Sequence, residues 1–82
     1  MDPRILVLMA ALCSPSGQQC QDKEIANSDT MPALNDMSCN YHGQMLASDW
    51  VLQHRGYEGW RVGRYGCIRI KSGERPIVTW RF

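Results

Sequence analysis

A surplus of either charge is almost absent from this chain: nine Lys and Arg against eight Asp and Glu leave a formal +1 over 82 residues. That near-balance excludes bulk electrostatic attraction as the main route to nucleic acid. Long apolar runs are missing too. The longest, residues 5–13, has nine members, far short of the roughly 20 that cross a bilayer as a helix. Gly56, Gly59, Gly63 and Gly66 are closely spaced but form neither GxGxxG nor GK[ST], so no phosphate-cradling loop is encoded. No nucleophile elbow is present. Histidine is limited to His42 and His54, and either one paired with Cys39 is no more than a chance thiol–imidazole pair. Asp22 and Glu24 lie in a polar stretch and read as solvated. No internal repeat or low-complexity tract divides the chain. One small domain results, with little concave volume for a substrate and a core that supplies little net stability. The expectation is a non-catalytic protein that carries no cofactor.

What is present begins with "MDPRILVLMAALCSPSGQQC". A short polar start with Arg4 precedes the apolar run, and small, turn-forming residues follow, which is the shape of an export signal. Ser14 and Ser16 fill the −3 and −1 positions of a cleavage before Gly17, so residues 1–16 read as a signal peptide. Two other readings use the same residues: a retained apolar helix or strand, and a lipid anchor on Cys13.

Residues 17–37 are polar and broken by Pro32, and are expected as an irregular arm with one short turn near residues 23–26. Residues 38–82 form the domain proper. A helix is expected over 39–55, capped by Ser38 or Asp36 and ended by Gly56. At 100° per residue, Cys39, Gly43, Leu46, Ala47, Trp50, Val51 and His54 share one arc, while His42, Asp49 and Gln53 face solvent. Gly43 beside Ala47 on the buried arc implies close approach to another element. His54, on the same arc, reads as a core-edge residue bonded to backbone. Two strands follow, 60–71 and 76–82, joined through Ser72-Gly73 as a hairpin, with Pro76 at a strand start or edge. The fold class is α+β: a small disulfide-stapled domain with one helix packed on a C-terminal β-hairpin.

Four cysteines in so short a chain point to an oxidising compartment, and four permit three pairings that spacing alone does not separate. Cys39 lies on the buried arc in the first helical turn. Cys67 lies late in the first strand, and an antiparallel return from Gly56 carries it toward the helix start. A Cys39–Cys67 bridge would contribute on the order of 3–4 kcal/mol. If residues 1–16 are removed, Cys20 is left odd; if they are retained, Cys13–Cys20 is the second bridge. Metal is the competing use, through Cys39-x-x-His42, but a second close ligand pair is missing, so no metal is expected.

Within "GWRVGRYGCIRI" strict alternation puts Cys67 on the face opposite Trp60 and Val62. Trp60 and Val62 can join Tyr65 and Cys67 toward the helix only if the strand slips phase at Gly63 or Gly66, as a bulge allows. Ile68 and Ile70 then face away from the helix. With Val78, Trp80 and Phe82 they form more apolar surface than one short helix covers, which marks a surface for a protein partner. The alternative is a polyanion or nucleic-acid site built from Arg61, Arg69, Lys71, Arg75 and Arg81, with Tyr65 between them. Residues 1–53 carry −4 and residues 54–82 carry +5, which suits either an anionic partner or pairing between the halves.

Cys39, Gly43-Gln44, Trp50, His54 and Trp60-x-Val62-x-Arg64-Tyr65-x-Cys67 form a pattern across about a third of the chain. In it the chain resembles a loose group of short exported proteins of alphaproteobacteria and their phages. That group usually has proline after the histidine, where Arg55 stands here. The resemblance implies export and a Cys39–Cys67 bridge, and it carries no known activity. Taken together, the sequence predicts a periplasmic or secreted binding or accessory subunit. If the N-terminus is retained, it predicts a component of an assembly.

Overall fold

The computed structural model describes residues 4–71 and residue 73. Four elements follow one another: β1 (Arg4–Cys13), β2 (Cys20–Asn27), α1 (Asp36–Gln53) and β3 (Arg61–Lys71). The strands make one antiparallel sheet in the order β2-β1-β3, and α1 lies across one face. The expected α+β class, single helix and disulfide staple are all present.

The sheet itself is built differently from the expected hairpin. Its middle strand is the N-terminal apolar run. Leu6, Val7, Leu8, Met9, Ala10 and Leu12 are all 4% exposed or less. A strand paired on both edges and buried on both faces needs an unbroken apolar sequence, so the run that resembles a signal core also suits a central strand. Residues 17–37 are likewise not an irregular arm, since β2 occupies much of them. Its sequence, CQDKEIAN, carries no clean alternation because it is an edge strand whose charged side chains stay in solvent. The turn before it is fixed by Ser14 N–H donating to Gln19 O at 2.7 Å and by Gly17 at φ +77°. The second strand of the expected hairpin, 76–82, lies outside the described residues.

Even-numbered residues of β1 face the helix: Leu6 and Leu8 pack with Leu34 and Cys39, and Ala10 and Leu12 pack with Ala47 and Val51. Two bulges deliver further apolar side chains to that face. In β2 the register passes from Leu8↔Ala26 to Met9↔Glu24, leaving Ile25 extra, so Ile25 and Ala26 both reach the helix-side core. In β3 it passes from Ala11↔Arg64 to Leu12↔Val62, leaving out Gly63. The slip expected at Gly63 or Gly66 is at Gly63. Trp60 and Val62 therefore pack toward α1 along with Cys67. Ile68 and Ile70 pair with Val7 and Ile5 on the opposite face.

The helix begins on a capping box. Asn35 Oδ1 accepts from Ser38 N–H and Ser38 Oγ accepts from Asn35 N–H, both at 2.9 Å. The cap is thus Asn35, with Ser38 as its reciprocal partner three residues on. At the far end His54 is the C-cap and Gly56 takes φ +94°.

Each face of the sheet carries one disulfide. Cys13–Cys20 joins directly paired residues at the end of β1 and β2, and Cys39–Cys67 ties the first turn of α1 to β3. Among the described residues no helix is long and apolar enough to cross a membrane.

Candidate docking site

The side of α1 that meets the sheet is made of small residues. Cys39, Gly43, Ala47 and Val51 are its buried members, with Leu46 and Trp50 half-buried beside them. Small side chains let the helix come close enough for the bridge, whose Cα atoms at Cys39 and Cys67 are 6.3 Å apart. At Gly43 the approach is tightest. A Cβ there would stand 2.6 Å from Cδ2 of Tyr65 and 3.3 Å from Leu8 Cδ1, so the Tyr65 ring lies directly over the glycine.

The large apolar residues of α1 are on its other side. Met37 is 70% exposed, Tyr41 80%, Met45 56% and Leu52 83%. The helical period places these four, with Ser48, within an arc of roughly 80° whose centre is roughly 140° around the helix from that of the buried one. The helix is thus apolar on both sides, with small residues where it lies closest to the sheet and Leu46 and Trp50 beside them. Two shallow depressions adjoin the outer stripe. One, of about 360 Å³, is lined by Asn35, Met37, Ser38, Tyr41 and His42. The other, of about 390 Å³, includes Gln44, Ser48, Leu52, Trp60 and Arg61. The sequence reading of this side as a solvated surface of His42, Asp49 and Gln53 holds for those three exposed residues but missed the stripe beside them. Its signal was legible, as apolar residues at i, i+4 and i+8 from Met37 with Leu52 continuing the line.

The surfaces expected from sequence fare differently. Ile68 and Ile70 are half-buried on the face turned from the helix. That face is closed at its centre, with Val7 at 0% and Met9 at 4% exposure. Val78, Trp80 and Phe82 lie outside the described residues, as do Arg75 and Arg81. The remaining basic set does not share one face. Arg61 pairs with Cys13 and Arg69 with Leu6, so the Gly63 bulge turns Arg61 to the side opposite Arg69 and Lys71. Strict alternation put all three together, and the one-residue slip separates them. Arg69 is moreover engaged by Asp36, in an exposed ion pair between the basic and acidic halves of the chain.

Beyond the end of α1 the aromatic residues contact one another. Trp50 stacks on His54 with centroids 3.7 Å apart, Tyr57 meets the edges of Trp50 and Trp60 at 5.0 Å, and Lys23 lies over Tyr57. Tyr57 OH donates to Gln21 at 3.0 Å and His54 Nδ1 donates to the Trp50 carbonyl at 2.7 Å. His54 is bonded to backbone as expected, but it is exposed rather than on the buried arc. This cluster seals the end of the helix-side core against β2. His42 stands exposed, apart from Cys39, whose sulfur is taken by Cys67. Among the described residues no three His, Cys, Asp or Glu come together as a metal site.

Comparison with protein-family models, curated proteins and solved structures finds no match to this chain.

Proposed function

We propose that the protein is a small, exported, non-catalytic binding module that docks a protein partner through the outer face of α1. The observation that carries this reading is the outer stripe of the helix, where four large apolar side chains, Met37, Tyr41, Met45 and Leu52, stand outside its own core. A contiguous stripe of this kind is unfavourable in water unless something covers it, and methionine with an aromatic is a composition suited to protein contacts. Two disulfides suit an oxidising compartment, and the resemblance to short exported proteins points the same way. The run 5–13 stays in the folded protein under this reading, because without β1 the strands β2 and β3 have no neighbour in common.

Site-specific photo-cross-linking in the native host tests the docking face. A benzophenone amino acid in place of Tyr41 or Leu52 gives a covalent adduct with a protein, and one in place of Asp29 or Gln18 on exposed polar turns does not. Equal yields at all four positions, or no adduct from the helix, remove the reading. Intact mass of the same material, before and after reduction, should show residues 4–13 present and two disulfides closed. A mass beginning after residue 16, or four free thiols, contradicts it.

A further inference from the structure

We propose that the outer face of α1 pairs with the same face of a second copy, the two helices running antiparallel about a twofold axis between Gln44 and Met45. The proposal rests on the docking reading above and names its partner. Inverting the stripe about that axis sets Met37 level with Leu52 of the second copy, Tyr41 with Ser48 and Met45 with Gln44. Tyr41 thus meets a serine, and no position of the stripe meets itself. A parallel arrangement lacks this. It stacks Tyr41 on Tyr41, and it aligns the two helix dipoles.

The surface relief fits the antiparallel pair. Tyr41 projects from one half of the stripe, and the depression lined by Gln44, Ser48, Leu52 and Trp60 lies beside the other half. Leu52 projects there, and the depression lined by Asn35, Met37, Ser38 and His42 lies at the opposite end. One protrusion and one hollow at each end, related by inversion of the stripe, are what an isologous contact requires, and such a contact closes at two copies instead of growing into a fibre.

The amount of surface agrees. At their observed exposures the four side chains present roughly 600 Å² per copy, the upper size of a patch on a monomer. Two such stripes face to face remove at most roughly 1,200 Å², the lower edge of specific association. Charge agrees as well, since Met37, Tyr41, Met45, Ser48 and Leu52 form a stripe with no ionised group in it.

Sedimentation velocity of the oxidised, full chain tests the proposal over about 5 to 500 µM at about 0.15 M salt, where a contact of this size is half-formed in the micromolar range. The expected species has twice the 9.4 kDa chain mass. Tyr41→Glu and Leu52→Glu each weaken association at least tenfold while the circular dichroism spectrum and both disulfides are kept. Tyr41→Cys chains mixed with Ser48→Cys chains form a disulfide between copies on air oxidation, because the two positions stand level across the antiparallel contact. A chain that stays monomeric to about 500 µM, or a dimer indifferent to both glutamates, overturns self-pairing. A disulfide forming between two Tyr41→Cys chains overturns the antiparallel arrangement, since only in parallel does that position meet itself. The cross-linking above separates this proposal from the reading it rests on. A Tyr41 adduct of twice the chain mass supports both, and an adduct with a heavier protein alone overturns self-pairing and leaves the docking face standing. No adduct from the helix overturns the docking face.

Discussion

Along the inner side of α1 stand Cys39, Gly43, Ala47 and Val51; along the outer side stand Met37, Tyr41, Met45 and Leu52. In most surface helices of small domains the larger apolar residues are the buried ones, because burying them stabilises most. Here the inner side gives up that area for proximity. A disulfide spans only a few ångströms, so Cys39 and Cys67 can join only if the helix sits low on β3, and Gly43 and Ala47 are what allow it to. The covalent bond then offsets part of the apolar burial that small side chains forgo. Met37, Tyr41, Met45 and Leu52 stand on the outer side instead, where they contribute little to the monomer's stability. The two sides thus divide the work: the inner one holds the fold, the outer one is available for contact.

The comparison breaks most completely at the bridge. Cys39→Ala with Cys67→Ala removes the constraint on a loop with a sequence separation of 28, for an expected loss of about 3–4 kcal/mol, or a fall in Tm of roughly 12–30 °C for a domain this size. The same pair of substitutions at Cys13 and Cys20, with a separation of 7, costs less, about 2.5 kcal/mol, because the loop is shorter. Denaturant titration of the two double variants measures the order, and equal losses would mean that the helix does not depend on its bridge. Next comes crowding of the inner side. Ala47 is fully buried against Ala10 and Leu12, so Ala47→Leu should destabilise by about 1–3 kcal/mol, whereas Met45→Leu across the helix should change stability by less than about 0.5 kcal/mol.

A smaller effect isolates the contact at Gly43. Gly43→Ala gains about 1 kcal/mol of helix propensity but drives a methyl group into the Tyr65 ring. Because Tyr65 is 38% exposed, the ring can swing outward, so the loss should cancel the gain and leave little net change. In a Tyr65→Ala background only Leu8 Cδ1 at 3.3 Å remains near the new methyl group, and the same Gly43→Ala should stabilise by up to about 1 kcal/mol. A double-mutant cycle showing no coupling would place the ring elsewhere.

Much of this arrangement was legible in the residues. The helix, its inner arc and the bulge followed from period, from Gly43 beside Ala47, and from the demand that Cys67 and Trp60 share a side. The middle strand was not, because an unbroken apolar run of nine residues satisfies an export signal and a doubly buried strand equally well; alternation distinguishes only strands with one wet face. Edge strand β2 escaped for the converse reason. It is held by pairing, by the Ser14–Gln19 turn and by Cys13–Cys20, none of which leaves a hydrophobic pattern. The outer stripe of α1 was visible as a spacing but was masked by the stronger inner arc, since attention to the side that a disulfide must occupy left the other side to be read from His42, Asp49 and Gln53 alone.

The smallest expected effect, and the one that most sharpens the contrast, belongs to Leu52→Lys. Leucine and lysine have nearly equal helix propensity, and Leu52 at 83% exposure loses almost no burial when replaced. Unfolding measured at low protein concentration should therefore change by less than about 0.5 kcal/mol. If the outer side is a contact between copies, the wild-type midpoint rises with protein concentration, since association stabilises the folded form by mass action. The Leu52→Lys midpoint should stay flat over the same range, with the two curves meeting at the dilute end. A loss that persists at dilution would show that Leu52 belongs to the fold after all, and the division between the two sides of the helix would not stand. Parallel curves at every concentration would mean that the outer stripe stabilises nothing by association, and that its apolar character needs a different partner.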